Sequence, residues 1–214
     1  MRALPLRALA ALLLLAAAPA PAEDRLAFGA PSGVGPFTVP IALSDAAGTP
    51  LGLDRPAGSR IQAFAVTVRF APASAVSSAS LARAGVLASR APVFETTASG
   101  EGTLTWVGAF DEGPGAIPFA QPPSASGDVV LALSVALAPG ATVSASLDAA
   151  TTLLSNQAGT ASESAGDGSL LLGPPAPLPP AAAAAAPVPA SGFAALAALA
   201  LAIGATGAQL ARRP

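Results

Sequence analysis

The chain has 214 residues, 52% of them hydrophobic but only 4% aromatic and 10% charged, with 23 Pro, 21 Gly and neither Cys nor His. Without those two residue types there is no imidazole acid–base chemistry, no Ser/His/Asp or Cys/His nucleophile, no thiolate or imidazole metal site and no disulfide. Between Glu23 and Ala190 twelve carboxylates face six arginines, a formal charge of −6, which disfavours nucleic acid and anionic lipid head groups as partners.

The N-terminus carries Arg2 and Arg7, an apolar run from Ala8 to Ala18, and Ala20-Pro21-Ala22 ahead of Glu23. A positive start, a short apolar stretch and a small-x-small end form a secretory signal peptide, expected over residues 1–22 with cleavage after Ala22. The apolar run is shorter than the roughly 20 residues that a membrane-spanning helix needs.

Residues 23–172 are expected to fold as one all-β domain. Phe37, Val39, Ile41 and Leu43 alternate with smaller or polar residues, as do Phe64, Val66, Val68 and Phe70, each giving one apolar face at a period of two. Leu104, Trp106, Gly108 and Phe110 form a third face, and Val129, Leu131, Leu133, Val135 and Leu137 the longest. Shorter candidates are 26–28, 92–96, 142–147, 151–154 and 169–172, for a total of about nine strands in a β-sandwich. Pro40 predicts that its strand lies at an edge or is interrupted. The Ala/Ser/Gly-rich stretches 120–126 and 158–168 have the composition of disordered loops.

Three segments resemble the cohesin-like modules, nine-stranded jelly-roll sandwiches that receive dockerin modules. Phe37-Thr38-Val39-Pro40-Ile41-Ala42-Leu43-Ser44-Asp45 is similar to their early strand, Ile61-Gln62-Ala63-Phe64-Ala65-Val66-Thr67-Val68-Arg69-Phe70-Ala71-Pro72 to the strand that ends in Tyr-Asp-Pro, and Gly127-Asp128-Val129-Val130-Leu131-Ala132-Leu133-Ser134-Val135 to a later one, with Thr151 to Gly159 resembling the end of the domain. Phe70-Ala71-Pro72 lacks the Tyr and Asp of that family. The resemblance implies a jelly-roll fold and a dockerin-like partner, and no dockerin-contacting residue carries over.

Residues 173–190 form a Pro/Ala-rich linker, Gly173-Pro174-Pro175-Ala176-Pro177-Leu178-Pro179-Pro180 followed by six alanines and Pro187-Val188-Pro189-Ala190. Proline at this density favours an extended stalk rather than a packed core. Residues 191–214 are an uncharged apolar run to Leu210 closed by Arg212-Arg213-Pro214, long enough for a membrane-spanning helix with its arginines on the cytoplasmic side. Proline linker, short motif, apolar helix and arginine pair resemble the C-terminal sorting signals of bacterial envelopes, of the PEP-CTERM type and its VPLPA-like relatives. That resemblance implies recognition and removal of the tail by an exosortase-like membrane protease.

No cofactor, catalytic residue or metal ligand is expected. Trp106 could stack on a sugar from an exposed face, but its place in the Leu104 and Phe110 alternation favours the core. Asp111-Glu112 before Gly113-Pro114-Gly115 reads as a loop tip rather than a glycosidase acid or calcium ligand. Asp45, Asp54, Asp128, Asp148 and Asp167 adjoin turns, without the spacing of a calcium loop. The function expected is an exported, envelope-displayed, non-catalytic binding or assembly module for a dockerin-like protein or a polysaccharide. The alternatives are a structural component of an extracellular matrix or biofilm without a specific ligand, and a carboxylate-only hydrolase, which needs two acids in a cleft.

Overall fold

The computed structural model describes residues 23–180, apart from 47–48, 50, 53–57, 59, 112, 114–116 and 118–125. The expected signal peptide 1–22, linker residues 181–190 and apolar segment 191–214 lie outside the described residues, as do Asp54, Glu112 and most of 120–126. Among the described residues no helix is long and apolar enough to cross a membrane.

Twelve strands are described: β1 (Asp24–Phe28), β2 (Phe37–Ser44), β3 (Ala63–Ala71), β4 (Val76–Arg83), β5 (Phe94–Gly100), β6 (Thr103–Ala109), β7 (Asp128–Leu137), β8 (Val143–Leu147), β9 (Leu153–Ser155), β10 (Ser162–Ser164), β11 (Leu170–Leu172) and β12 (Ala176–Leu178). One sheet runs β11-β1-β2-β7-β4. The other runs β10-β9-β3-β6-β5, with β8 on the same side of β3 as β9, further along the strand, and β12 antiparallel to β8. The pairing is antiparallel except between β1 and β11, where Asp24 to Leu26 run alongside Leu170 to Leu172. The two-sheet, all-β expectation therefore holds, with three strands beyond the nine anticipated.

Period-two alternation makes the core. Val39, Ile41 and Leu43 of β2 meet Phe64, Val66 and Val68 of β3 and Leu104 and Trp106 of β6, all buried. Each such side chain stabilises the fold by about 1.5–3 kcal/mol relative to exposure. Phe110, just past β6, donates its N–H to the Gln62 carbonyl at 2.8 Å and packs edge-on to Phe64, ring centroids 6.4 Å apart.

Two expectations change for backbone reasons. Ile41 pairs with Leu131 but Ala42 with Val129, so Val130 is an extra residue in β7. That bulge reverses the alternation, and Val130 rather than Val129 is buried with Leu131, Leu133, Val135 and Leu137. Pro40 does not mark an edge, since β2 lies between β1 and β7. Its carbonyl accepts the Gly29 N–H at 2.8 Å, past the last β1 pair, Phe28 with Ile41. The proline nitrogen lies on that same side, so the β7 ladder loses no donor. Gly29 is required there, because a Cβ would stand 2.7 Å from Pro40 Cγ.

The strands that periodicity missed hide for separate reasons. β4 reads Val-Ser-Ser-Ala-Ser-Leu-Ala-Arg, of which only Leu81 is buried, and its register against β7 shifts between Val76 and Ser78. β10 turns an acid, Glu163, inward. β12 comes from the expected stalk: residues 173–178 belong to the sandwich, with Ala176 and Leu178 buried and Pro177 exposed between them. Residues 158–168 are likewise ordered by β10 and by Asn156, whose side chain accepts from the Thr160 and Ala161 N–H groups and donates to the Gly58 carbonyl.

Candidate functional site

The outer face of β8, β3, β6 and β5 is half-buried over β8, β3 and β6 and becomes exposed at β5. Leu104, Trp106 and Gly108 point inward on β6, so Thr103, Thr105, Val107 and Ala109 point outward. Register carries the same face onto β5 through Phe94 opposite Ala109 and Thr96 opposite Val107, and onto β3 through Thr67 opposite Thr105, whose hydroxyls lie 2.8 Å apart. The face is small-chained and weakly charged, and Thr67 at its middle is buried. Its ion pair, Arg69 with Asp148 at 2.7 Å, holds the Asp148 carboxyl below the usual range. Asp148 also accepts the Ala150 N–H at 3.1 Å, as its turn position predicts.

Two of the five exposed large hydrophobics among the described residues stand at one margin of this face, while Val34 lies between β1 and β2 and Leu171 on β11 of the other sheet. Val93 and Phe94 are 70% and 54% exposed, and all of β5 is exposed along a strand whose second edge is unpaired in the sheet. The sequence supplied no signal for Phe94, since an aromatic within Val-Phe-Glu-Thr-Thr reads as core.

Trp106 is wholly buried, as expected of its alternation, and its indole N–H donates to Glu95 Oε1 at 2.9 Å. Asp111 stands in an exposed loop, where Oδ1 accepts from Gln157 Nε2 at 3.2 Å. Asp167 caps its turn by accepting from the Ser169 N–H at 3.0 Å, and the hydrogen bonds from Ser169 hold its carboxyl low.

The paired acids that sequence reasoning did not find are Asp24 and Glu163, both with no exposed surface. Asp24 Oδ1 accepts the Ala46 N–H at 2.9 Å and Glu163 Oε1 the Leu51 N–H at 3.2 Å. Burial above all pushes Asp24 up to about 6 and raises Glu163. A substrate has no route to carboxyls enclosed in this way, so the pair does not serve the hydrolase alternative. Nor does a carboxylate line either of two surface grooves among the described residues, one of about 390 Å³ by Phe70, Val76 and Leu104 and one of about 640 Å³ by Pro72, Val143 and Leu178. Among the described residues no three acids are grouped to hold a metal ion.

No protein-family model matches the sequence, and no curated protein matches it. Solved structures do. The chain is similar to the third cohesin of ScaC from Acetivibrio cellulolyticus, in complex with the ScaB dockerin, at 18% identity over 75% of this chain and 100% of that one, with a TM-score of 0.50. It is also similar to CaCohA2 from Clostridium acetobutylicum, at 12% identity over 78% and 94% of the two chains and a TM-score of 0.46. A third is the second type II cohesin module of the ScaA scaffoldin of Acetivibrio cellulolyticus, at 10% identity over 75% and 98% and a TM-score of 0.47. At these identities the likeness is one of fold, and the first of them gives the two sheets the architecture of a cohesin-like β-sandwich.

Proposed function

We propose that residues 23–180 form a non-catalytic protein-binding module of cohesin-like type, exported and displayed from a bacterial envelope. The observation that carries this reading is the exposed edge strand β5 beside the small-chained outer faces of β6 and β3, with Phe94 54% exposed on it. A surface of Ala, Ser and Thr lets a partner approach the sheet closely, and one exposed aromatic ring supplies the anchor around which interfaces concentrate their binding energy. The partner is a dockerin-like module, the class of protein bound by the similar ScaC cohesin. Polysaccharide is the second ligand class. It is disfavoured because sugar platforms use aromatic rings, whereas Phe94 is the one aromatic among the exposed large hydrophobics of the described residues.

Export by the signal peptide 1–22, a membrane-spanning segment at 191–214 and removal of that tail by an exosortase-like protease complete the reading. They rest on the residue pattern at the two ends of the chain. The small-residue outer face also favours a matrix or biofilm component without a specific ligand, and binding separates the two. Calorimetric titration against a panel of dockerin modules and polysaccharides should show one saturable protein ligand, weakened at least tenfold by Phe94→Asp. A folded chain that binds nothing at about 100 μM, where a 1 mM site would still be near ten per cent occupied, overturns the reading in favour of the matrix role.

A further inference from the structure

The corner where the first strand of the domain meets its last turns holds buried acids that the binding reading does not use. Asp24 on β1 and Glu163 on β10 are 139 positions apart and fully enclosed. Each has one oxygen fixed by a backbone N–H of the β2–β3 connection, Ala46 for Asp24 and Leu51 for Glu163. Thr49 packs between them, its hydroxyl 3.5 Å from Asp24 Oδ1 and bonded to the Leu51 carbonyl. The second oxygens, Asp24 Oδ2 and Glu163 Oε2, are buried and meet no protein donor, and no ion pair reaches either carboxylate among the described residues. Thr49 and Leu51 link the two carboxyl groups, the Thr49 hydroxyl reaching both Asp24 Oδ1 and the Leu51 carbonyl while the Leu51 N–H reaches Glu163 Oε1. Two enclosed carboxylates cannot both be ionised without severe repulsion, and a proton shared between their free oxygens removes it.

We propose that Asp24 and Glu163 form a proton-operated latch: with one proton between them they hold β1 and β10 to Ala46, Thr49 and Leu51, and loss of that proton releases this corner. Burial, the largest cause for both, raises the two carboxyls above the usual range, so the enclosed pair retains a proton more readily than exposed acids do. Among the described residues the other charged groups acting on the latch are acids too, Asp45 from the β2–β3 connection, which also hydrogen-bonds Asp24, and Asp167 from the β10–β11 turn. Arg25, next in β1, is exposed, and Arg60 joins the corner through its backbone bridge to Gly52, one residue beyond Leu51. The neighbouring strands β2 and β11 end there in Ser44 and begin in Leu170, neither titratable.

The direction follows from linkage. Asp24 ionises near 3.8 in the unfolded chain and near 6 in the folded one, so the folded state binds the extra proton between those values. Stability from the latch is complete below about pH 4 and drains as pH rises through 6. A gap of about two units corresponds to roughly a hundredfold fall in the equilibrium constant for closing the corner.

The test is thermal unfolding of the full chain from pH 4 to pH 7.5, alongside a carbon NMR titration of its Asp and Glu carboxyls. Wild type should lose midpoint temperature across this range, with a buried Asp carboxyl titrating near 6. In D24N the carboxamide donates to Glu163 at every pH and should flatten the slope. E163Q donates from the opposite side and should do the same, so the idea survives failure of one variant to fold. A carboxyl set that titrates wholly below 5, or a D24N slope equal to wild type, overturns the latch.

Discussion

Trp106 donates its indole N–H to Glu95 Oε1 at 2.9 Å, and the same carboxylate receives the Arg83 guanidinium at 3.2 Å. Trp106 and Glu95 stand on neighbouring strands β6 and β5, whereas Arg83 comes from β4 of the opposite sheet. Arg83 also donates to the carbonyls of Leu87 and Arg90. The largest core side chain is thus tied to the open flank of the sandwich by a charged bridge between the sheets. Its polar nitrogen is satisfied at the boundary of the core.

Glu95→Ala should therefore cost about 1–3 kcal/mol, the penalty for leaving a buried donor without a partner. Glu95→Gln keeps an acceptor for the indole and should cost less, losing chiefly the half-exposed ion pair, which contributes at most about 1 kcal/mol. Chemical denaturation of the three proteins, read by Trp106 fluorescence, checks the ranking. Equal losses for the two variants would show that the indole does not depend on this carboxylate.

Much of the sandwich was legible because Val39, Ile41, Leu43, Phe64, Val66 and Val68 obey a strict period of two, and each lies where that period put it. The reading failed where a backbone irregularity or small side chains broke the pattern. The bulge at Val130 reversed one face, the Ser/Ala run of β4 had no apolar stripe to detect, and Pro177 concealed the inward Ala176 and Leu178. The exposed β5 and its Phe94 were invisible for another reason: whether an aromatic faces solvent depends on which strand lies at an edge. Asp24 and Glu163 meet only through β1, β10 and the 45–51 connection, a juxtaposition that local spacing does not encode.

Gly108 carries the counterpart of the Trp106 argument. A Cβ at this position would lie 2.3 Å from Cη2 and 2.6 Å from Cζ2 of the Trp106 ring, which covers the glycine two residues along the same strand. Gly108→Ala should move the indole, weaken its bond to Glu95 and destabilise the fold by about 1–3 kcal/mol, as overpacking does. Loss of the near-ultraviolet dichroism of Trp106 with strand content retained is the expected signature. A variant with wild-type dichroism and stability would mean that the ring has room elsewhere.

β12 makes the opening of the proline-rich segment a structural part of the domain. Leu178 is 2% exposed and its strand pairs with β8 through Ala176–Ala145, Pro177–Ser144 and Leu178–Val143. Leu178→Ala should cost about 2 kcal/mol, near the low end for a buried leucine because the strand lies at a sheet edge and its site can collapse. Pro180→Ala, beyond the strand, should leave the denaturation midpoint unchanged. If Leu178→Ala behaves like Pro180→Ala, the domain ends at Leu172 and the remainder is stalk.

Gln62 offers a substitution expected to stabilise the protein. The side chain has no exposed surface, and neither its Nε2 nor its Oε1 has a hydrogen-bond partner. Its backbone is fully used, the N–H on the Ser155 carbonyl at 3.0 Å and the carbonyl on the Phe110 N–H at 2.8 Å. The position is therefore fixed as an inward-facing continuation of β3 while the amide remains unsatisfied. Enclosing such an amide opposes folding by about 1–3 kcal/mol, and an apolar chain of similar length and flexibility removes that penalty without leaving a cavity. Gln62→Met should raise the denaturation midpoint by the equivalent of about 1 kcal/mol with the denaturant slope unchanged. A loss of stability would reveal that the amide has a bound water or another polar partner at the end of the sandwich, and would identify Gln62 as part of a buried polar network.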